Sequence, residues 1–183
     1  MSTVTVLKPL TVEEYLAAER DADIRHEYLN GQLMAMAGGS RAHNLLATRV
    51  ARLLGNHLEG TRCRVYQSDM KVRIRTANRF YYPDVMVCCN PVEDEPDEYY
   101  ETAPKLIVEV LSPGTAHEDE GEKRVNYQTL SSLQEYLLLH PLQHTAVLYR
   151  RTSDVWMRYA LDNTDTLELR SVSYKIDLDY LFS

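Results

Sequence analysis

Apolar residues recur along this chain at two spacings, and the switches between them mark its elements. Thr11-Val12-Glu13-Glu14 has the Thr-x-x-Glu spacing of a capping box and predicts a helix running through about Arg20. Residues 26–30 and 32–36 predict a strand pair that turns at Asn30-Gly31, a dipeptide suited to a tight hairpin. Gly38-Gly39-Ser40 breaks that pair and leaves Ser40 to cap a second helix. In it Leu45, Leu46, Val50, Leu53 and Leu54 make an apolar stripe that ends before Gly60. Strands are predicted at about 62–67, 70–75, 80–89 and 105–112, and a third helix at roughly 117–130. Further strands follow at 135–139, 145–150, 155–161 and 166–172. The acidic stretch 93–101, which contains Pro96, reads as a solvated loop. With no repeat or linker, residues 1–183 read as one mixed α/β domain.

Composition agrees with that picture. Of the 183 residues 44% are apolar, enough for a core of ordinary size. No apolar run approaches the roughly 18 residues of a membrane span. Met1 to Leu10 holds one lysine and no long apolar stretch, so a signal peptide is not expected and a cytoplasmic location is. Cys63, Cys88 and Cys89 lack paired metal spacing and read as reduced core residues, with adjacent Cys88 and Cys89 pointing to opposite faces of a strand. The six histidines give weak support for a zinc site.

The net charge of −7 argues against a sequence-independent nucleic-acid coat, but charge is segregated along the chain. Between Thr61 and Phe80 stand six basic residues and one acid, and between Asp84 and Glu101 seven acids and no base. Lys71, Arg73 and Arg75 alternate with Val72 and Ile74, so all three cations share a strand face, with Arg62 and Arg64 expected on a paired strand. Such a ribbon suits a phosphate backbone track, although an ordinary solvated sheet face looks the same in sequence.

Two apolar, strand-forming runs each carry one acid. Tyr81-Tyr82-Pro83-Asp84-Val85-Met86-Val87 contains Asp84, and Leu106-Ile107-Val108-Glu109-Val110-Leu111-Ser112 contains Glu109. An acid beside a proline can merely cap a strand end, whereas Glu109 has no polar neighbour within two residues. A buried carboxylate costs several kcal/mol unless something positive meets it. Two of them on neighbouring strands suggest a shared divalent cation, because hard cations take oxygen ligands. On the following helix Asp119, Lys123 and Tyr127 fall at i, i+4 and i+8 and form one stripe. Taken alone, Asp119 and Lys123 could be a surface ion pair; with Glu109 nearby, Lys123 can reach a cation-bound water.

Pro83-Asp84, then Ile107-Val108-Glu109-Val110-Leu111-Ser112-Pro113, then Asp119, Lys123 and Tyr127, resemble the signature of a restriction-endonuclease-like family of the PD-(D/E)XK phosphodiesterase superfamily. The resemblance extends to Thr11–Tyr15, to His26-Glu27-Tyr28-Leu29-Asn30-Gly31, to His43 and to the stretch 135–141. It implies a restriction-endonuclease-like core, a central mixed β-sheet flanked by helices, here with extra C-terminal strands. It also implies Mg²⁺, with Mn²⁺ as its alternative, held by Asp84 and Glu109. Glu27 would complete or orient the site, and Lys123 would be the catalytic base or charge stabiliser. One position departs from the superfamily pattern: the lysine expected two residues after the second acid is Leu111. The family uses a lysine displaced onto the next helix, and Lys123 stands there.

The expectation is therefore a Mg²⁺-dependent endonuclease acting on DNA and catalysing through Glu27, Asp84, Glu109 and Lys123. Lys71, Arg73, Arg75 and His43 would contact substrate, and the protein would be a homodimer. Two other classes fit the same residues: a catalytically weak nucleic-acid-binding or protein-interaction module, and a non-nuclease metal hydrolase using His26, Glu27 and His43.

Overall fold

The computed structural model describes residues 8–89 and 98–183. Helix α1 (Val12–Arg20) opens with the reciprocal cap that its spacing predicts: Thr11 Oγ1 accepts the Glu14 amide at 3.1 Å, and the Glu14 carboxylate accepts the Thr11 amide at 2.8 Å. Strands β1 (His26–Leu29) and β2 (Gln32–Ala35) turn through Asn30 and Gly31, whose φ angles of 51° and 94° are the left-handed pair that a two-residue hairpin requires. Ser40 caps α2 (Arg41–Leu58) by accepting the His43 amide. The buried stripe of α2 is Leu46, Ala47, Val50, Leu54 and Leu58, which keeps Leu46, Val50 and Leu54 of the predicted set; Leu53 is half-buried and Leu45 exposed.

Seven more strands and a segmented helix build the site-bearing half: β3 (Arg64–Gln67), β4 (Lys71–Ile74), β5 (Arg79–Tyr81), β6 (Val85–Cys88), β7 (Tyr100–Glu101), β8 (Leu106–Val110), α3 (Ala116–Glu118), a π-helical turn (Asp119–Lys123), α4 (Arg124–Gln128) and β9 (Glu135–His140). The tail adds β10 (Thr145–Thr152), β11 (Val155–Leu161), β12 (Thr166–Leu169), β13 (Tyr174–Asp177) and α5 (Leu178–Phe182). A six-stranded sheet runs β11-β10-β9-β8-β6-β3, mixed because β8 and β9 are parallel. A second, five-stranded sheet runs β2-β1-β5-β4-β7. Apolar side chains alternate across β6: Val85, Val87 and Cys89 join α2 and the tail, while Met86 and Cys88 face Tyr127 and β4. Mixed α+β architecture holds.

Several expectations need correction. The run 80–89 is not one strand: Pro83 has no N–H for a ladder, so the chain breaks there and passes from the five-stranded sheet (β5) to the six-stranded one (β6). For the same reason Arg62 and Arg64 do not lie beside Lys71. Strand β3 pairs with β6, and β4 pairs with β5. Of the expected acidic loop, residues 93–97 lie outside the described residues, and Tyr100–Glu101 forms a strand parallel to β4. The cysteines are not all reduced, since Cys63 and Cys89 form a disulfide; Cys88 is free and buried. The strand predicted at 166–172 stops at Leu169. There Glu135, buried on β9, accepts the Arg170 and Ser171 amides and bends the chain into a turn. Among the described residues no helix is long and apolar enough to cross a membrane.

Candidate active site

The break at Pro83 leaves Asp84 just ahead of β6, beside the end of β8 where Glu109 sits. Each acid is held by a backbone amide at or next to the other. The Asp84 amide donates to Glu109 Oε2 at 3.2 Å, and the Val110 amide donates to Asp84 Oδ2 at 2.7 Å. The Tyr127 hydroxyl donates to Glu109 Oε1 at 2.9 Å from α4. Both acids line one cleft of about 280 Å³. Glu27 reaches the same cleft from β1 and Lys123 from the π-helical turn, where they form a 2.7 Å ion pair. Asp119 stands 3.4 Å from the same ammonium, one π turn earlier, and the Lys123 ammonium lies 5.4 Å from the centre of the Tyr81 ring.

Burial pushes the Glu109 carboxyl well above the ordinary carboxylate range, with Lys123 opposing the shift and the Asp119 and Asp84 charges adding to it. Burial likewise raises Glu27 and Asp119, again against the pull of Lys123. For Lys123, burial alone would favour loss of its proton, but Glu109, Glu27 and Asp119 outweigh it and hold the ammonium charged. His43 enters from the first turn of α2, its Nε2 3.1 Å from Asp84 Oδ2, and that contact raises its pKa. Gly39 makes the approach possible, since a Cβ there would lie 2.8 Å from His43 Nδ1. Asp84, Glu109, Glu27 and Lys123 thus line one cleft beside the start of β6 and the end of β8.

The family model described as "Uma2: Putative restriction endonuclease" matches residues 12–179. The chain belongs to the Uma2 family. Two proteins of Synechocystis sp. are similar: slr1290 is 37% identical over 174 residues, 94% of this chain and 91% of its own. The second, sll1609, is 34% identical over 155 residues, 84% of this chain and 88% of its own. A crystal structure from Anabaena variabilis, described as "a putative nuclease belonging to DUF820", shares the fold with a TM-score of 0.79 at 15% identity, covering 95% of this chain and 98% of that one. Uma2 membership supports a nuclease-like function on a restriction-endonuclease-like fold.

Families of this kind use divalent metals, and the donor chemistry of this Uma2 site fits one. Asp84 and Glu109 offer hard oxygen donors at adjacent strand ends. The cleft also holds Glu27, Glu118 and Asp119, so five acids face Lys123 and His43 and negative charge is in excess. Among the described residues no three His, Cys, Asp or Glu side chains form a ready-made cage. Asp84 and Glu109 would therefore hold the ion, with its other positions left to water and substrate.

The basic strand face lies apart from the cleft lining. Lys71 is buried, its ammonium 5.2 Å from the Tyr82 ring centre. Arg73 donates to the Tyr100 hydroxyl at 3.0 Å and lies over Phe80, while Arg75 is exposed beyond β4. His26 is turned away, bound through its amide and ring to Glu19. His140 and His144, four residues apart, part company across a turn, toward Glu120 and Phe182 respectively. Sequence reasoning gave no role to Asp119, Tyr127 or Tyr82. For the first two the i, i+4, i+8 stripe through Lys123 was the available signal; Tyr82, which lines the cleft and donates to Glu19, carried none.

Proposed function

We propose that this Uma2 protein is a Mg²⁺-dependent endonuclease that hydrolyses DNA phosphodiester bonds, with Mn²⁺ as an alternative ion, acting as one domain and as a homodimer. The observation that carries this reading is the convergence of Asp84, Glu109, Glu27 and the displaced Lys123 on one cleft. When bound, a divalent cation polarises a phosphoryl oxygen and lowers the pKa of a bound water. The chain's own residues do the rest. Asp84 and Glu109 would be the cation's ligands. Glu27 and Asp119 position the Lys123 ammonium, which orients the attacking water and offsets the negative charge that builds at phosphorus. The carboxylates around Lys123 favour its charged form, which suits the charge-stabilising role. His43, at the mouth of α2, meets Asp84 and is a further contact for substrate.

A second reading, an inert nucleic-acid-binding or protein-interaction module, draws support from the acidic cleft and the burial of Lys71. Incubation with supercoiled plasmid and with single-stranded DNA, with and without Mg²⁺ or Mn²⁺, separates the two. Metal-dependent cleavage should be lost in Glu109→Gln while DNA binding is kept or tightened, because one negative charge near the phosphate is gone. Lys123→Met should also abolish cleavage. Cleavage that persists in both variants refutes this site, and no cleavage by the wild-type protein with either ion favours the inert module.

A further inference from the structure

The six-stranded sheet ends on β11, and among the described residues nothing pairs with the outer edge of that strand. Most edges in this protein are short: β2 and β3 have four residues and β7 has two, whereas β11 has seven. Natural edges are commonly protected by proline, lysine, a bulge or brevity. Val155-Trp156-Met157-Arg158-Tyr159-Ala160-Leu161 has none of these, and Arg158 is its one charge. Val155, Met157 and Tyr159 share a face and are all exposed, at 59%, 46% and 38%. Val155 pairs with Thr152 across a two-residue turn, so the alternation of antiparallel pairing directs the N–H and C=O groups of Trp156, Arg158 and Ala160 outward. The edge is already ordered, because Arg151 lies 4.8 Å from the Trp156 ring centre and Arg150 lies 5.2 Å from that of Tyr159.

We infer that β11 is the dimerisation edge, and that its occupant is β11 of a second copy, joined antiparallel about a two-fold axis at Met157 to make a continuous twelve-stranded sheet. This rests on the homodimer reading above and adds the surface. The strand's own sequence argues for a copy of itself. An axis at Met157 sets Val155 against the partner's Tyr159, Met157 against the partner's Met157, and Trp156 against the partner's Arg158, giving three apolar pairs and two cation–π pairs. Moving the axis to Arg158 would set two guanidinium groups face to face, and moving it to Trp156 would leave Tyr159 opposite the turn. Long-range charge points the same way. Two chains of net charge −7 repel, and β11 is a segment without a single acid. One strand pair is a small interface, so the dissociation constant should lie on the order of micromolar.

The test is sedimentation of the full chain from about 1 to 200 µM, a range that brackets such an affinity. The wild-type protein should pass from monomer to dimer. Met157→Lys places two ammonium groups at the axis and should raise the dissociation constant about 100-fold, as like charges at an interface do. Met157 is exposed, so the variant should keep the wild-type circular dichroism and melting curve. Met157→Cys should cross-link across the axis on mild oxidation, because directly opposed residues of an antiparallel pair bring their Cβ atoms to about 4.5–5.5 Å. Leu142→Cys, exposed elsewhere, should not. A wild-type dimer that Met157→Lys leaves intact overturns this surface but leaves the dimer reading standing. A monomer at every concentration overturns both.

Discussion

Replacing Lys123 by methionine removes the charge around which three buried carboxylates are arranged while keeping the length of the side chain. The Lys123 side chain is 12% exposed, so solvent screens it little. It stands 2.7 Å from Glu27 and 3.4 Å from Asp119. Breaking a buried ion pair from one side costs about 3–5 kcal/mol, because the remaining charge stays desolvated. At pH 8 without divalent metal the variant should lose that much stability. For a domain of this size the loss corresponds to a melting temperature lower by roughly 10 °C. The loss should depend on pH. Burial raises the carboxyl pKa values of Glu27, Glu109 and Asp119, so the folded chain binds more protons than the unfolded chain above the ordinary carboxylate range. Stability therefore falls as pH rises through that window, and Lys123, protonated in both states throughout, limits the fall. In Lys123→Met the carboxyls can take up protons at pH 5.5, and the loss should shrink to about half or less of its pH 8 value. Urea unfolding at both pH values in EDTA measures this, and adding Mg²⁺ at pH 8 should restore part of the loss if Asp84 and Glu109 bind it. An equal loss at both pH values would show that these carboxylates do not sense the lysine charge.

The remaining predictions concern the tail and the basic face. Glu135 is buried and accepts from Arg150 and from the Arg170 and Ser171 amides, so Glu135→Ala should destabilise the chain by about 3–5 kcal/mol in urea unfolding. A loss under about 1 kcal/mol, that of an ordinary surface position, would show that this carboxylate does not hold the turn after β12. If DNA runs along β4, neutralising Arg73 and Arg75 should weaken binding alike for all sequences and reduce the slope of log K against log salt by about one per lost phosphate contact. An unchanged slope would remove β4 from the substrate path. Lys71, buried against Tyr82, should contribute little to that slope.

Local signals in the sequence proved dependable where one chemical rule settles the outcome. The Thr11 cap, the Asn30-Gly31 turn and the Ser40 cap each satisfy backbone groups within a few residues, so the chain needs no distant partner to choose them. Pairing across sheets was hidden because it depends on where a strand breaks. Pro83 carried the cue, yet the apolar run on both sides of it read as continuous. Strand β13 and α5 escaped notice because Tyr174–Phe182 mixes polar and apolar residues without a clean period. The disulfide was not legible either, since only the fold brings Cys63, after α2, to the end of β6.

The acids of the site could be read from their setting. A carboxylate inside Leu106–Val110 has no apolar reason to be there, and Glu109 accordingly lies buried between β6 and α4 with two hydrogen-bond donors of its own. The lysine could be read only in outline, because its position depends on a π turn. Asp119 and Lys123 point the same way in any helix at i and i+4. The π-helical turn at Asp119–Lys123 inserts an extra residue into that stretch, and Gly121 within it offers little resistance to the change. The result places the Lys123 ammonium against Glu27 on another sheet while the Asp119 carbonyl remains bonded to Tyr136. A lysine just past β8, at the position of Leu111, would have come to the acids along the strand direction; here it comes from the helix, and residues that touch no ligand decide where it arrives.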